Sequence, residues 1–181
     1  MRLGALVWLL LLAAGARADQ NDPRLGPLFE RLKGAPGPIE AELVEGRIWR
    51  IWAEIPDPAS RALYESGVAA MERKDLRAAR EALDRLVAQA PGFAEAWNKR
   101  GTLSYLTGDD AASIADIQRT LALEPRHFGA LSGLGLVCLL CLVRPECALA
   151  GFEAALAIHP FLPGARAHVL MLREQLKGDP T

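Results

Sequence analysis

The stretch of sequence that decides the fold is AEAWNKRGTLSYLTGDDAASIADIQRTLALEPRH, residues 94 to 127. In it a large apolar residue, Trp97, is followed four positions later by Gly101, and the stretch closes shortly after Pro125. The same order recurs on both sides at a 34-residue step. Glycines keep that step at Gly67, Gly101 and Gly135, and prolines keep it at Pro91 and Pro125. A fixed period of this length is the signature of a helical repeat array.

Three units follow from this period: residues 60–93, 94–127 and 128–161. Pro160 arrives one position late, which predicts an extra residue in the turn between Val143 and Glu146. The units resemble the tetratricopeptide-repeat (TPR) family, in which a large apolar residue, a glycine, a small residue and a closing proline mark two helices. Ser113 and Thr120 depart from the alanine that the family prefers. The resemblance implies an all-α solenoid of three helix-turn-helix repeats.

Segments outside the repeats are expected to cover the two ends of the solenoid, because terminal units leave apolar faces open. Residues 19–58 are predicted to form an N-terminal helical cap, divided by prolines into a short helix near Leu28 to Lys33 and a longer one from Ile39 to Ile55. Residues 162–177 are predicted to form a C-terminal capping helix, and residues 178–181 a tail.

The chain starts with a pattern typical of an export signal. Arg2 precedes an apolar run, and Ala16 to Ala18 form a small-x-small site, which predicts a signal peptide over residues 1–18 with cleavage after Ala18. The mature chain is then expected to be periplasmic or secreted, without a stable membrane span. An uncleaved N-terminal membrane anchor is the alternative.

Composition and motifs narrow the class of function. A net charge of −1, only 6% aromatic residues and no basic run give no footprint for nucleic-acid binding. No phosphate-binding loop, nucleophile elbow or zinc-protease motif occurs. The sequence therefore predicts a protein without enzymatic activity or cofactor.

The resemblance also implies a concave groove lined by the first helix of each unit. The expected groove residues are Tyr64, Val68, Met71, Asn98, Thr102, Tyr105, Leu136 and Leu139. Asn98 is the foremost candidate, because its amide can pair with the backbone of any peptide. Some TPR proteins grip a C-terminal carboxylate with Lys and Asn, but the matching positions here hold Tyr64, Val68, Lys99, Gly129 and Gly133. An apolar or amphipathic helix, or an extended segment, is the expected ligand.

Three cysteines, Cys138, Cys141 and Cys147, fall in the third unit. Packing in the core is the favoured interpretation, with a disulfide from Cys147 to one of the other two as the alternative. A structural zinc would need a fourth ligand that the spacing does not supply. Trp52 belongs to an apolar helix face, and Trp49, at its edge, is either core or an anchor for a partner.

These observations predict a non-enzymatic interaction module, a scaffold or adaptor that binds a protein or peptide partner in the cell envelope. One alternative is a self-associating adaptor that uses the apolar third unit, with its apolar stretch at residues 134–143, as its contact face. The other alternative is a thiol redox or metal protein that works through the three cysteines.

Overall fold

The computed structural model describes residues 20–178, which form nine α-helices. The chain begins with α1 (Leu25–Lys33) and α2 (Pro38–Trp52) and ends with α9 (Ala165–Gly178). Between them lie three helix pairs: α3 (Pro58–Glu72) with α4 (Leu76–Gln89), α5 (Ala94–Leu106) with α6 (Asp110–Leu123), and α7 (Phe128–Leu140) with α8 (Pro145–Ile158). Residues 20–178 contain no strand, and the predicted all-α class is confirmed. The predicted signal peptide and residues 179–181 of the predicted tail lie outside the described residues.

The turns between paired helices show where the repeat register shifts. Three residues separate α3 from α4 and α5 from α6, whereas four separate α7 from α8. Asp75 and Asp109 cap the second helix of their units by accepting hydrogen bonds from the backbone N–H groups of Ala78 and Ala112. In the third unit Pro145 occupies the first turn of α8 instead. The additional residue therefore lies in the turn in which the sequence placed it.

Each repeat glycine lies where the two helices of its unit cross. A Cβ added at Gly67 would lie 3.0 Å from Leu83, one at Gly101 would lie 3.2 Å from Asp116, and one at Gly135 would lie 2.9 Å from Phe152. Larger residues at these positions would push the paired helices apart. Leu83 and Phe152 are fully buried beside the crossings and fill the space that the glycines leave.

The N-terminal helices pack against the third repeat unit. We call α1 and α2 the N-terminal hairpin. Its core of Leu25, Phe29, Val44, Ile48 and Trp52 packs against the third unit and the segment after it, through Phe128, Ile158, Phe161 and Leu162. These contacts are with the third unit, whereas the sequence led us to expect this segment at the end of the first unit. At its N-terminal side, Gln20 donates a hydrogen bond to the carbonyl of Gly92.

One predicted helix end differs, and α7 ends before the apolar stretch 134–143 does. Helix α2 ends at Trp52 instead of Ile55, because Pro56 disfavours a helical conformation at the residue before it. Ile55 leaves the helix and packs into the core of the first unit beside Leu86 and Phe93. Helix α7 ends at Leu140, so Cys141 lies in the following turn and not within the helix.

The C-terminal helix α9 packs on the last unit. Ala165, Val169 and Leu172 are buried against Phe152 and Ala148 of α8. Leu170 and Met171 remain exposed on its other side. Within residues 20–178, no helix combines the length and apolar character that crossing a membrane requires.

Candidate partner-binding groove

A cavity of about 320 Å³ lies between the first helices of the second and third units. We call it the groove cavity. Helix α5 contributes Thr102, Tyr105 and Leu106, helix α7 contributes Gly129, Ser132, Gly133 and Leu136, and the segment before α9 contributes Leu162 and Pro163. The repeat stacking creates this space, since α5 and α7 occupy equivalent places in neighbouring units.

Small residues from α7 leave room in the groove cavity. Gly129, Ser132 and Gly133 are spaced by three and four positions, so they share one face of the helix. A Cβ added at Gly133 would lie 3.7 Å from Ile117, which is an ordinary contact. The side chains of Tyr105 and Leu136 supply apolar surface around these residues. The cavity can therefore accept an apolar side chain and let a ligand's backbone come close to α7.

Helix α2 closes part of the groove cavity from outside the repeats. The Trp49 ring packs so closely on Gly129 that a Cβ there would lie 2.8 Å from Cη2. The indole N–H of Trp49 donates to Glu45 Oε1 at 3.0 Å, and Glu45 Oε2 lies 3.0 Å from Nε2 of the buried His159. Among the lining residues that the structure describes, Glu45 is the only one with a carboxylate, and none is Lys or Arg. The hydrogen bond with His159 is the main cause that lowers the pKa of Glu45.

A buried polar network beside the cavity ties the hairpin to all three units. Glu95 is 2% exposed. It forms a salt bridge with Lys99 Nζ at 3.0 Å and accepts hydrogen bonds from Asn98 Nδ2 at 2.9 Å and His127 Nε2 at 3.0 Å. The hydroxyl of Tyr64 lies 3.5 Å from the same carboxylate. Burial raises the pKa of Glu95, but the hydrogen bond from His127 and the charge of Lys99 outweigh it and lower the pKa overall.

The two hydrogen bonds of His127 determine which nitrogen of the neutral ring carries the proton. Its Nδ1 accepts the backbone N–H of Ala130 at 3.0 Å and so caps α7. The proton of a neutral ring therefore sits on Nε2, from which it is donated to Glu95. On its face, the His127 ring stacks on Trp52 with centroids 4.2 Å apart. The network thus fixes the position of α2, and with it the closed end of the groove cavity.

The predicted groove residues divide into two sets. Thr102, Tyr105, Leu136 and Asn98 line the groove cavity. The remaining four lie elsewhere: Tyr64 and Met71 pack on the first unit's core, Leu139 packs on the core shared with α9, and Val68 is half-buried in the first unit.

Asn98 does not offer the free amide that the sequence suggested. It is 8% exposed, and its Nδ2 donates to Glu95. The sequence also missed Glu45, since nothing in a repeat pattern links a residue of the N-terminal hairpin to the groove. The one available signal was Trp49, whose place at the edge of an apolar face allowed an anchoring role.

The cysteines form one disulfide. Cys138 and Cys147 are joined, and Cys141 is a free, half-buried thiol. The structure thus has the disulfide from Cys147 that was the alternative to core packing, and Cys138 is buried in addition. A hydrogen bond with Asp110, together with burial, raises the pKa of Cys141 and so disfavours its reactive thiolate. In the described part of the chain no three His, Cys, Asp or Glu side chains group as a metal site would need.

The disulfide predicts a specific labelling result. Mature protein purified from an oxidising compartment should lack two hydrogen atoms by mass, and iodoacetamide should modify one thiol, Cys141, after denaturation without reductant. Intact-mass spectrometry measures both values, and a Cys141→Ser variant should take up no label. Three labelled thiols in the unreduced wild-type protein would contradict the assignment.

Comparison with known proteins agrees with this architecture. No protein-family model matches the chain. A TPR repeat-containing protein of Rhizobium etli is 35% identical over 158 residues, which cover 87% of this chain and 77% of that protein. The chain belongs to the TPR family. Identity at this level over most of both proteins confirms the resemblance that the 34-residue period indicated.

Solved structures share the TPR fold at lower identity. The TPR domain of Arabidopsis OM64 superimposes with a TM-score of 0.62 at 21% identity, covering 65% of this chain and 96% of that domain. The Sgt2 TPR domain of Aspergillus fumigatus gives 0.62 at 19% identity over 70% of this chain and 87% of its own. MamA gives 0.61 at 21% identity, covering 87% of this chain and 79% of its own. TPR domains are scaffolds for protein–protein interaction, which is the general class of function that membership implies.

Proposed function

We propose that this TPR protein is a non-enzymatic adaptor of the cell envelope that binds an apolar or amphipathic segment of a partner protein in the groove cavity. The observation that supports this most is the cavity itself, an open space of about 320 Å³ with small residues on α7 and apolar side chains around them. Binding sites of this kind combine apolar walls with a few polar groups. Here Thr102 and Ser132 supply hydroxyl groups beside Tyr105 and Leu136.

The charges near the groove cavity further restrict the chemical class of its ligand. Lys99, the one lysine at a clamp position, has its ammonium group bound to Glu95. The carboxylate of Glu45 borders the cavity and would repel a second carboxylate. A C-terminal carboxylate is therefore a poor ligand, and a segment with apolar side chains and a neutral or basic group near Glu45 fits better.

Export to the envelope rests on the signal-like segment at residues 1–18. A second role, self-association, is favoured by one observation at the turn between α7 and α8 in the third unit. Leu140, Leu142 and Val143 are exposed there, and Val143 is 77% exposed. Exposed aliphatic residues that cluster in this way are typical of contact surfaces. Light scattering of the mature protein tests this role, and a monomer at all concentrations would contradict it.

Blocking the groove cavity should abolish partner capture. A photoreactive residue at the exposed Thr102 should crosslink a discrete partner protein in cells, and adding Gly133→Leu should remove that product. The reason is that Gly133 tolerates a Cβ at 3.7 Å from Ile117, so the rest of a leucine side chain enters the cavity without disturbing the fold. Mass spectrometry of crosslinked products measures the loss.

The matched control is Gly46→Leu, because Gly46 is also helical and a Cβ there meets nothing within 4 Å, but it does not line the cavity. This variant should keep the crosslinked product. Circular dichroism should show that both variants fold. An unchanged yield with Gly133→Leu would overturn the proposed binding site.

A further inference from the structure

A second groove lies on the N-terminal hairpin, between α1 and α2, with a volume of about 520 Å³. We call it the arginine groove. Its apolar lining consists of Pro27, Leu28 and Ile51. Four arginines, Arg24, Arg31, Arg47 and Arg50, surround this apolar surface, and Glu54 is the one acidic residue of the lining within residues 20–178.

The arginine groove is separate from the groove cavity. On α2, at 100° per residue, Arg47 lies about 160° around the helix from both Glu45 and Trp49, and Arg50 lies about 140° from Glu45 and about 100° from Trp49. Both arginines are exposed, whereas Ile48 and Trp52 on the inner side are buried. Helix α2 thus borders both sites: the groove cavity through the carboxylate of Glu45, and the arginine groove through two guanidinium groups.

The four arginines differ in how their charge is neutralised. Arg24 pairs with Asp22 and Glu54, and Arg31 pairs with Glu40. Arg47 and Arg50 have no carboxylate partner among residues 20–178, and Arg50 donates only Nε to the carbonyl of Gly46 in its own helix. Two guanidinium groups one helical turn apart are therefore available beside an apolar surface.

We infer that the arginine groove binds an acidic amphipathic helix of a partner protein. Guanidinium groups bind carboxylates through paired, charge-assisted hydrogen bonds. Arg47 and Arg50 are three residues apart, and acidic residues spaced by three or four on a partner helix present carboxylates at a similar separation. An aliphatic side chain of the same helix would pack on Leu28 and Ile51.

The small apolar area favours a helix over a membrane surface. Only Pro27, Leu28 and Ile51 are apolar among the eight described lining residues, and one or two turns of a partner helix cover a surface of that size. A basic ligand is disfavoured, since the two unpaired guanidinium groups are both cationic and would repel it. This site does not depend on the groove cavity and could serve a second partner at the same time.

Fluorescence anisotropy tests the inference with the mature chain and a defined probe. The probe is a labelled helical peptide of Glu, Leu and Ala with glutamates at i, i+4 spacing, and its counterpart has Gln in place of Glu. At low salt the Glu peptide should bind, and the Gln peptide should bind about tenfold more weakly. The double variant Arg47→Gln with Arg50→Gln should lower the affinity for the Glu peptide by about the same factor.

The control variant is Arg73→Gln with Arg85→Gln, which removes the same charge from exposed positions in the first unit. It should leave binding unchanged, and equal weakening would overturn the site by showing non-specific attraction. Equal affinity for the two peptides would overturn it as well. Vesicles of phosphatidylglycerol and phosphatidylcholine form a further arm, and binding to vesicles but not to the Glu peptide would assign the groove to membranes. Gly133→Leu should not affect any of these measurements, which separates this result from the proposed function.

Discussion

Replacing Trp52 with alanine is expected to lower the free energy of unfolding by about 3–5 kcal/mol, the usual range for truncating a buried aromatic residue. Trp52 is 3% exposed and holds the N-terminal hairpin on the repeats. Its ring stacks on His127 with centroids 4.2 Å apart and packs 5.3 Å from the Phe128 centroid and 5.9 Å from that of Phe29. Truncation removes these contacts together and leaves a cavity between the hairpin and the third unit. Urea unfolding followed by circular dichroism measures the change.

Two further variants make this result specific. Leu43→Ala changes the same helix at a position that is 61% exposed, and it should shift stability by no more than about 0.5 kcal/mol. Trp52→Phe keeps an aromatic ring on His127 and removes an indole N–H that has no hydrogen-bond partner among residues 20–178, so it should be milder than alanine. If Trp52→Ala unfolds with the same midpoint as Leu43→Ala, the hairpin is not docked as described.

The docking of the hairpin marks the limit of what the sequence can predict. The 34-residue period determines the repeats because each unit packs mainly on its neighbours, so a local pattern is enough. The apolar face of α2 was also visible in the spacing of Val44, Ile48 and Trp52. Its partner was not, since Phe128 and Phe161 lie far along the chain and no period connects them to α2.

The candidate site was predictable in part for the same reason. Thr102, Tyr105 and Leu136 occupy repeated positions on the first helices, and the family pattern alone brings them to the cavity. Asn98 occupies such a position too, but its amide is held by Glu95, three residues earlier in the same helix. No repeat position indicates that His127, 32 residues away, bonds the same carboxylate. Glu45 reaches the cavity only because the hairpin packs there.

The third unit differs from the others at the crossing of its helices. Gly151 occupies the place that Ala82 holds in the first unit and Asp116 in the second. A Cβ at Gly151 would lie 2.8 Å from the backbone nitrogen of Gly135 and 3.0 Å from the carbonyl oxygen of Leu131. These are backbone atoms of α7, so no side-chain rotation can relieve the contact. Helices α7 and α8 therefore approach more closely than an alanine at position 151 would allow.

Gly151→Ala is accordingly expected to destabilise the protein by about 3 kcal/mol, at the upper end of the usual range for overpacking. The matched control is Gly46→Ala in α2, where a Cβ meets nothing within 4 Å. Because alanine is the better helix former, that variant should stabilise the protein by about 0.5–1 kcal/mol. The same substitution should thus have opposite signs at two helical positions, as measured by urea unfolding. A stabilising Gly151→Ala would show that α7 and α8 lie farther apart than described. The position of α7 beside the groove cavity, and of Cys138 relative to Cys147, would then be different as well.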